Sequence, residues 1–149
     1  MNEENKFFEI SESGNLIRIE LIELNYPNAE LDWDRNWING IVKVKAGAFS
    51  GEFKANFMTV DFLSFKNELT ELYDKLNGTA TFNTLESQVK IKIIGDGIGH
   101  LNTLCVVMDY AGNGNKLEFE ISFDQTQIPK IINQLEKITR EFPKYGELK

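Results

Sequence analysis

Few side chains in this sequence are equipped for covalent chemistry, and they are scattered. The one histidine is His100 and the one cysteine is Cys105. Catalysis of the Ser-His-Asp or Cys-His kind must pass through His100. His100 and Cys105 are expected on one strand at odd spacing, which places them on opposite faces and out of a shared site. One His and one Cys do not make a zinc site. Gly95-Asp96-Gly97-Ile98-Gly99 precedes a strand. A phosphate-binding loop instead opens a helix with its amides free, so this run reads as a turn. The acids around Asp32 and Asp34 lack calcium-loop spacing. Glu118 and Glu120 share a strand face opposite Phe119 and read as solvated, as do Lys90 and Lys92. The sequence thus offers no catalytic residue, no metal ligand set and no cofactor motif.

Recognition chemistry is better represented. Both tryptophans, Trp33 and Trp37, lie in the run Asp32-Trp33-Asp34-Arg35-Asn36-Trp37. Trp and Arg dominate binding hot spots. The run sits between two alternating apolar segments, so it is expected as a loop leading into a strand. Trp37 should begin that strand and pack inward, and Trp33, flanked by acids, should be accessible. Charge reinforces the picture. Residues 1–36 hold nine acids and three bases, a net of −6, and the remainder holds fourteen and thirteen, a net of −1. Such a field repels nucleic acid and steers basic partners. It also serves solubility, whatever the partner.

The elements that must position these residues follow from periodicity. Short strands are expected at Phe7–Ile10 and Ala80–Phe82. Longer alternating ones are expected at Leu16–Leu24, from Ile38 through Val44, from Phe53 to Thr59, from Val89 to Ile93, and from Leu117 to Phe123. His100 to Tyr110 is apolar on both faces and is expected to be central. Met58 and Ile94 fall at outward strand positions, where cover by a helix is the common explanation. Glycine turns should join strand pairs at Gly47–Gly51 and at Gly112-Asn113-Gly114-Asn115. Helical spacing of Phe62, Phe65, Leu69, Leu72 and Leu76 predicts a helix over Phe62–Leu76, N-capped by Asp61 and stopped by Asn77-Gly78. A second helix is predicted over Thr126–Phe142, with Pro129 in its first turn and Pro143 beyond its end. The order strand, glycine loop, strand, Asp, helix occurs from Ile38 to Leu76 and again from Leu101 to Phe142. Either the β-β-α unit is duplicated, or two amphipathic segments of this type simply look alike. Both readings give an α+β fold of antiparallel sheet with two helices packed on it.

Bulk properties agree with one domain over residues 1–149. No apolar run approaches the ~18 residues needed to cross a bilayer, and Met1-Asn2-Glu3-Glu4-Asn5-Lys6 is too acidic for a secretory start. With Cys105 alone there is no internal disulfide, which fits a reducing cytoplasm.

Two motifs carry a family resemblance. Asp34-Arg35-Asn36-Trp37-Ile38 before a strand resembles an Asp-x-Asn-Trp-Leu segment, and Phe123-Asp124-Gln125-Thr126 before an amphipathic helix is similar to a second family feature. Both belong to the WapI-like immunity proteins, antidotes to wall-associated contact-dependent toxins, and the similarity spans Leu16 to Phe142. The resemblance implies a non-enzymatic cytoplasmic protein that occludes a cognate basic toxin domain, often a nuclease, without binding nucleic acid or membrane itself. The residues expected at that contact are Asp32, Trp33, Asp34 and Arg35 with Glu20, Glu23 and Glu30. Two alternatives stay open: a small-ligand or scaffold domain, favoured by a deep pocket with convergent polar groups, and an enzyme, favoured by two close carboxylates in an apolar cleft.

Overall fold

Alternation along the chain resolves into two four-stranded antiparallel sheets in a computed structural model that describes residues 5–146. In the first half β1 (Lys6–Glu12), β2 (Asn15–Leu24), a helical turn α1 (Asp32–Arg35), β3 (Trp37–Ala46) and β4 (Phe49–Met58) lead to α2 (Thr59–Lys75). In the second half β5 (Asn77–Asn83), β6 (Val89–Asp96), β7 (His100–Met108) and β8 (Lys116–Asp124) lead through a short 3-10 turn at Gln125–Gln127 to α3 (Ile128–Glu141). Each sheet keeps its strands in chain order, with every neighbouring pair antiparallel. The fold is therefore α+β, as the periodicities predict. The repeating arrangement is larger than the β-β-α unit read from the sequence, because each half is four strands followed by a helix.

Local chemistry explains the joints. Ser13 and Gly14 both take positive φ, 53° and 85°, which closes β1 onto β2 in two residues. Gly47, at φ 61°, does the same between β3 and β4. Several expected boundaries move. Asp61 is not the N-cap of α2. The helix starts at Thr59, and Asp61 sits in the first turn with its Oδ2 accepting from the Met58 N–H at 2.9 Å. The residue that ends α2 in the left-handed conformation is Leu76, at φ 59°, one position before Asn77-Gly78. Asp124 accepts from the Thr126 N–H at 2.9 Å and so caps the 3-10 turn that precedes α3.

One hydrophobic cluster draws on both sheets and on α2 and α3. At its centre Phe82 of β5 meets Phe8 of β1, Phe57 of β4, and Phe62 and Phe65 of α2, with ring centroids 5.1–6.1 Å apart. Edge and tilted contacts of this kind add to area burial. The helices also cover strand edges. Gln134 of α3 accepts from the Glu9 N–H of β1 at 3.0 Å, and Glu68 of α2 accepts from the Thr81 N–H of β5 at 3.2 Å. Two edge strands, one in each sheet, thus have an N–H satisfied by a helix side chain. β7 lies between β6 and β8, as expected. Its inner positions are buried and its outer ones partly exposed, so it is central by pairing rather than covered on both faces. Met58 is buried, and Ile94 is exposed.

Candidate functional site

The tryptophan segment is not an open loop. Asp32–Arg35 forms a single helical turn, with Leu31 leading in and Asn36 closing it. Trp33 is 45% exposed, Leu31 66% and Tyr26 55%, so three large apolar side chains stand out between β2 and β3. Trp37 starts β3 opposite Met58 and is half-buried, but the alternation of β3 places it on the outer face with Asn39 and Lys43 and gives the inward position to Ile38. Trp33 is thus accessible as its setting predicts, while Trp37 does not pack into the core. Asp34 faces an open groove of about 480 Å³ that it shares with Tyr26, Pro27, Asn28 and Ala29. The 26–29 turn and α1 therefore form one surface.

The expected acids divide into free and committed groups. Glu23 and Glu30 are exposed, Asp34 is partly exposed, and none of the three is in an ion pair among the described residues. Asp32 is held by Arg35 at 3.7 Å, and the Arg35 guanidinium also lies 4.3 Å from the centre of the Tyr145 ring. Glu20 is placed differently. Across the outer face of the first sheet, Glu9, Arg18, Lys43 and Glu52 stand opposite one another in register. Two cations side by side would repel, and Glu20 lies between them, 3.5 Å from Arg18 Nε and 3.2 Å from Lys43 Nζ. Desolvation pushes its carboxyl up, but the Asn5 hydrogen bond and the Lys43 and Arg18 charges outweigh that and hold its pKa below the usual value. Glu20 thus works within the sheet. Glu3 and Glu4, which belong to the acidic excess, lie outside the described residues.

A residue that sequence reasoning did not select organises this region. Asn36 is fully buried. Its Nδ2 donates to Asp32 O at 2.6 Å and to Tyr145 O at 2.9 Å, and its Oδ1 accepts from the Tyr145 N–H at 2.9 Å and from the Thr59 hydroxyl. Its backbone O accepts from the Thr59 N–H at 2.9 Å. One amide joins α1, the start of α2 and the segment after α3. Its neighbours Asp34 and Arg35 are also polar, so composition does not mark it, and the available signal was its place in the Asp34-Arg35-Asn36-Trp37-Ile38 motif.

The residues suited to chemistry lie apart. Cys105 is buried, and desolvation pushes its thiol up to about 12, which suppresses the nucleophilic thiolate. His100 is exposed on the other face, and its backbone N–H donates to Asp96 Oδ1 at 3.1 Å. Asp61 is the perturbed carboxylate. Burial raises it to about 6 against the pull of the Met58 N–H, so it titrates as a helix-start group. Among the described residues no cluster of three or more His, Cys, Asp or Glu is arranged to hold a metal ion. The groove by Asn39, Asn56, Lys54 and Gln88, about 360 Å³, is rich in amides. These amides are partly engaged: Asn39 donates to Asn25 at 2.8 Å, Asn25 to Asn56 at 3.0 Å, and Gln88 to the backbone carbonyl of Lys54 at 3.3 Å.

The sequence matches the model of the immunity protein WapI-like family over residues 7–143. The chain belongs to this family. Membership carries an immunity role in general terms, and immunity in turn implies a toxin as the kind of partner. A comparison with curated proteins returns no match. Among solved structures the chain is similar to one from the crystal structures of Trypanosoma bruciei MRP1/MRP2, with a TM-score of 0.51 and 8% identity, covering 92% of this chain and 85% of that one. At that identity the likeness concerns the fold alone. No helix among the described residues is long and apolar enough to cross a membrane.

Proposed function

We propose that this WapI-like immunity protein is a cytoplasmic, non-enzymatic antidote that binds one cognate toxin domain and covers its active surface. The observation that carries the reading is the exposed set Tyr26, Leu31 and Trp33, interspersed with the carboxylates of Glu23, Glu30, Asp32 and Asp34. Large rings supply anchoring area, and surrounding acids complement a basic, nuclease-like active site. Arg35 holds Asp32 at the rim, and Glu20 keeps the neighbouring sheet face in register behind the contact. Inhibition by this route is stoichiometric and needs no reaction. The small-ligand alternative has its best case in the amide-lined groove, but there the Asn39 and Gln88 amide N–H groups are already bonded to Asn25 and to the backbone carbonyls of Glu23, Lys54 and Met108.

The test is to look beside this gene for a large secreted protein with a toxic C-terminal domain and to co-express that domain with this chain. Growth should be rescued by the wild type. Trp33→Ala should weaken the complex by about 2 kcal/mol if the ring is a hot spot. Absence of both rescue and complex would defeat the antidote reading. Rescue with unweakened binding by the Trp33 variant would keep the function and move the interface to another face.

A further inference from the structure

We propose that Tyr145 and Gly146 form a strap that holds the α1 turn in its partner-ready shape, with Asn36 and Tyr145 as positioning residues. The partner half of this inference rests on the function proposed above. The four-residue turn is far too short to persist by itself in water. Its own hydrogen bonds are long: Asp34 N to Leu31 O is 3.1 Å, and Arg35 N to Leu31 O and Asn36 N to Trp33 O are both 3.3 Å. Something outside the turn must fix it.

The strap does so at both ends. At the C-terminal end, the Tyr145 N–H and C=O pair with the two halves of the Asn36 carboxamide, each at 2.9 Å, much as a neighbouring strand would. The same amide reaches back to Asp32 O at the N-terminal end. There Gly146, at φ 72°, passes so close to the Asp32 carboxylate that a Cβ would collide with it. Between these points the Tyr145 ring lies against the Arg35 guanidinium. Trp33 and Asp34 are left facing outward. Pro143, Lys144 and Gly146 are exposed, so the strap adds little to the hydrophobic core. Its contacts are concentrated on the turn, 109 residues away in the chain. A turn held in one shape spares the partner the cost of ordering it, which raises the apparent affinity by the inverse of the competent fraction.

The experiment compares full-length wild type, Tyr145→Pro, Gly146→Ala and Tyr145→Phe. Tyr145→Pro removes the N–H donor, Gly146→Ala forces the strap off Asp32, and Tyr145→Phe keeps the stacking ring. Amide hydrogen exchange is read without any partner, and association kinetics are read with the purified toxin domain that the co-expression test identifies. Exchange at Arg35 and Asn36 should rise about tenfold or more in the Pro and Ala variants, with β3 and α3 unchanged, because only local opening is altered. Association should slow several-fold in those two variants, and Tyr145→Phe should match the wild type in both arms. Unchanged exchange at the turn would overturn the strap, and faster exchange with unchanged binding would overturn its link to the partner. A wild type that binds no toxin domain would instead defeat the functional reading, leaving the exchange arm to decide whether the strap holds the turn.

Discussion

At the scale of single residues, position separates side chains that the sequence makes look alike. Trp33 is exposed, and Asn36, three residues on, is fully buried with partners on three chain segments. Asn36→Ala should therefore cost about 2–3 kcal/mol, because it strands buried donors and acceptors, and thermal unfolding will measure it. Trp33→Ala should leave the melting temperature nearly unchanged, so the two variants separate scaffold from contact. Asp61 gives a pH signature. Its folded pKa is raised to about 6 from an ordinary 3.8. Between those values the native chain holds a proton that the unfolded chain has released, so its contribution to stability falls as pH rises through this window and levels off above it. Asp61→Asn keeps an acceptor for the Met58 N–H without the buried charge. It should flatten that stretch of the stability profile and raise stability at neutral pH by about 1–2 kcal/mol, allowing for partial solvation of the native carboxylate. A steeper profile in the variant would contradict this assignment.

At the scale of elements, close backbone approach fixes a glycine that periodicity alone leaves unexplained. A Cβ on Gly95 in β6 would sit 2.5 Å from Leu76 O, the carbonyl just beyond α2, and 3.1 Å from Leu72 Cδ1. Gly95→Ala should destabilise the protein by about 2 kcal/mol or more through forced separation of α2 from the second sheet, as a denaturant midpoint would reveal. Strands, turns and both long helices were legible because alternation and helical spacing are local signals. The first turn of α2 was hidden because Thr59 and Val60 are weak helix formers, and the Asp61 carboxylate and the Asn36 hub hold them there. The α1 turn was hidden because four residues show no period. Left-handed Leu76 was missed because such a cap is normally glycine, and Gly78 stood close by.

At the scale of the whole molecule, the sequence could not say which strands share a sheet. That choice is made by distant packing around Phe82 and by the helices that meet strand edges, Gln134 on β1 and Glu68 on β5. The candidate surface was only partly legible. The Trp33 segment could be singled out by composition, but Tyr26 and Leu31 join it by exposure, and Glu20 is separated from it by its ion pairs. The formal charge of −7, concentrated in the first quarter of the chain, gives this surface a long-range field. The central claim, a one-to-one antidote steered by charge and anchored by Trp33, is tested most directly by binding kinetics of the purified pair across salt concentration. The account predicts a 1:1 complex whose association slows as salt rises, since screening shortens the field to about 8 Å at physiological ionic strength. Asp32→Asn with Asp34→Asn should act mainly on association, and Trp33→Ala mainly on dissociation. A complex whose association ignores salt, and whose dissociation ignores Trp33, would contradict it.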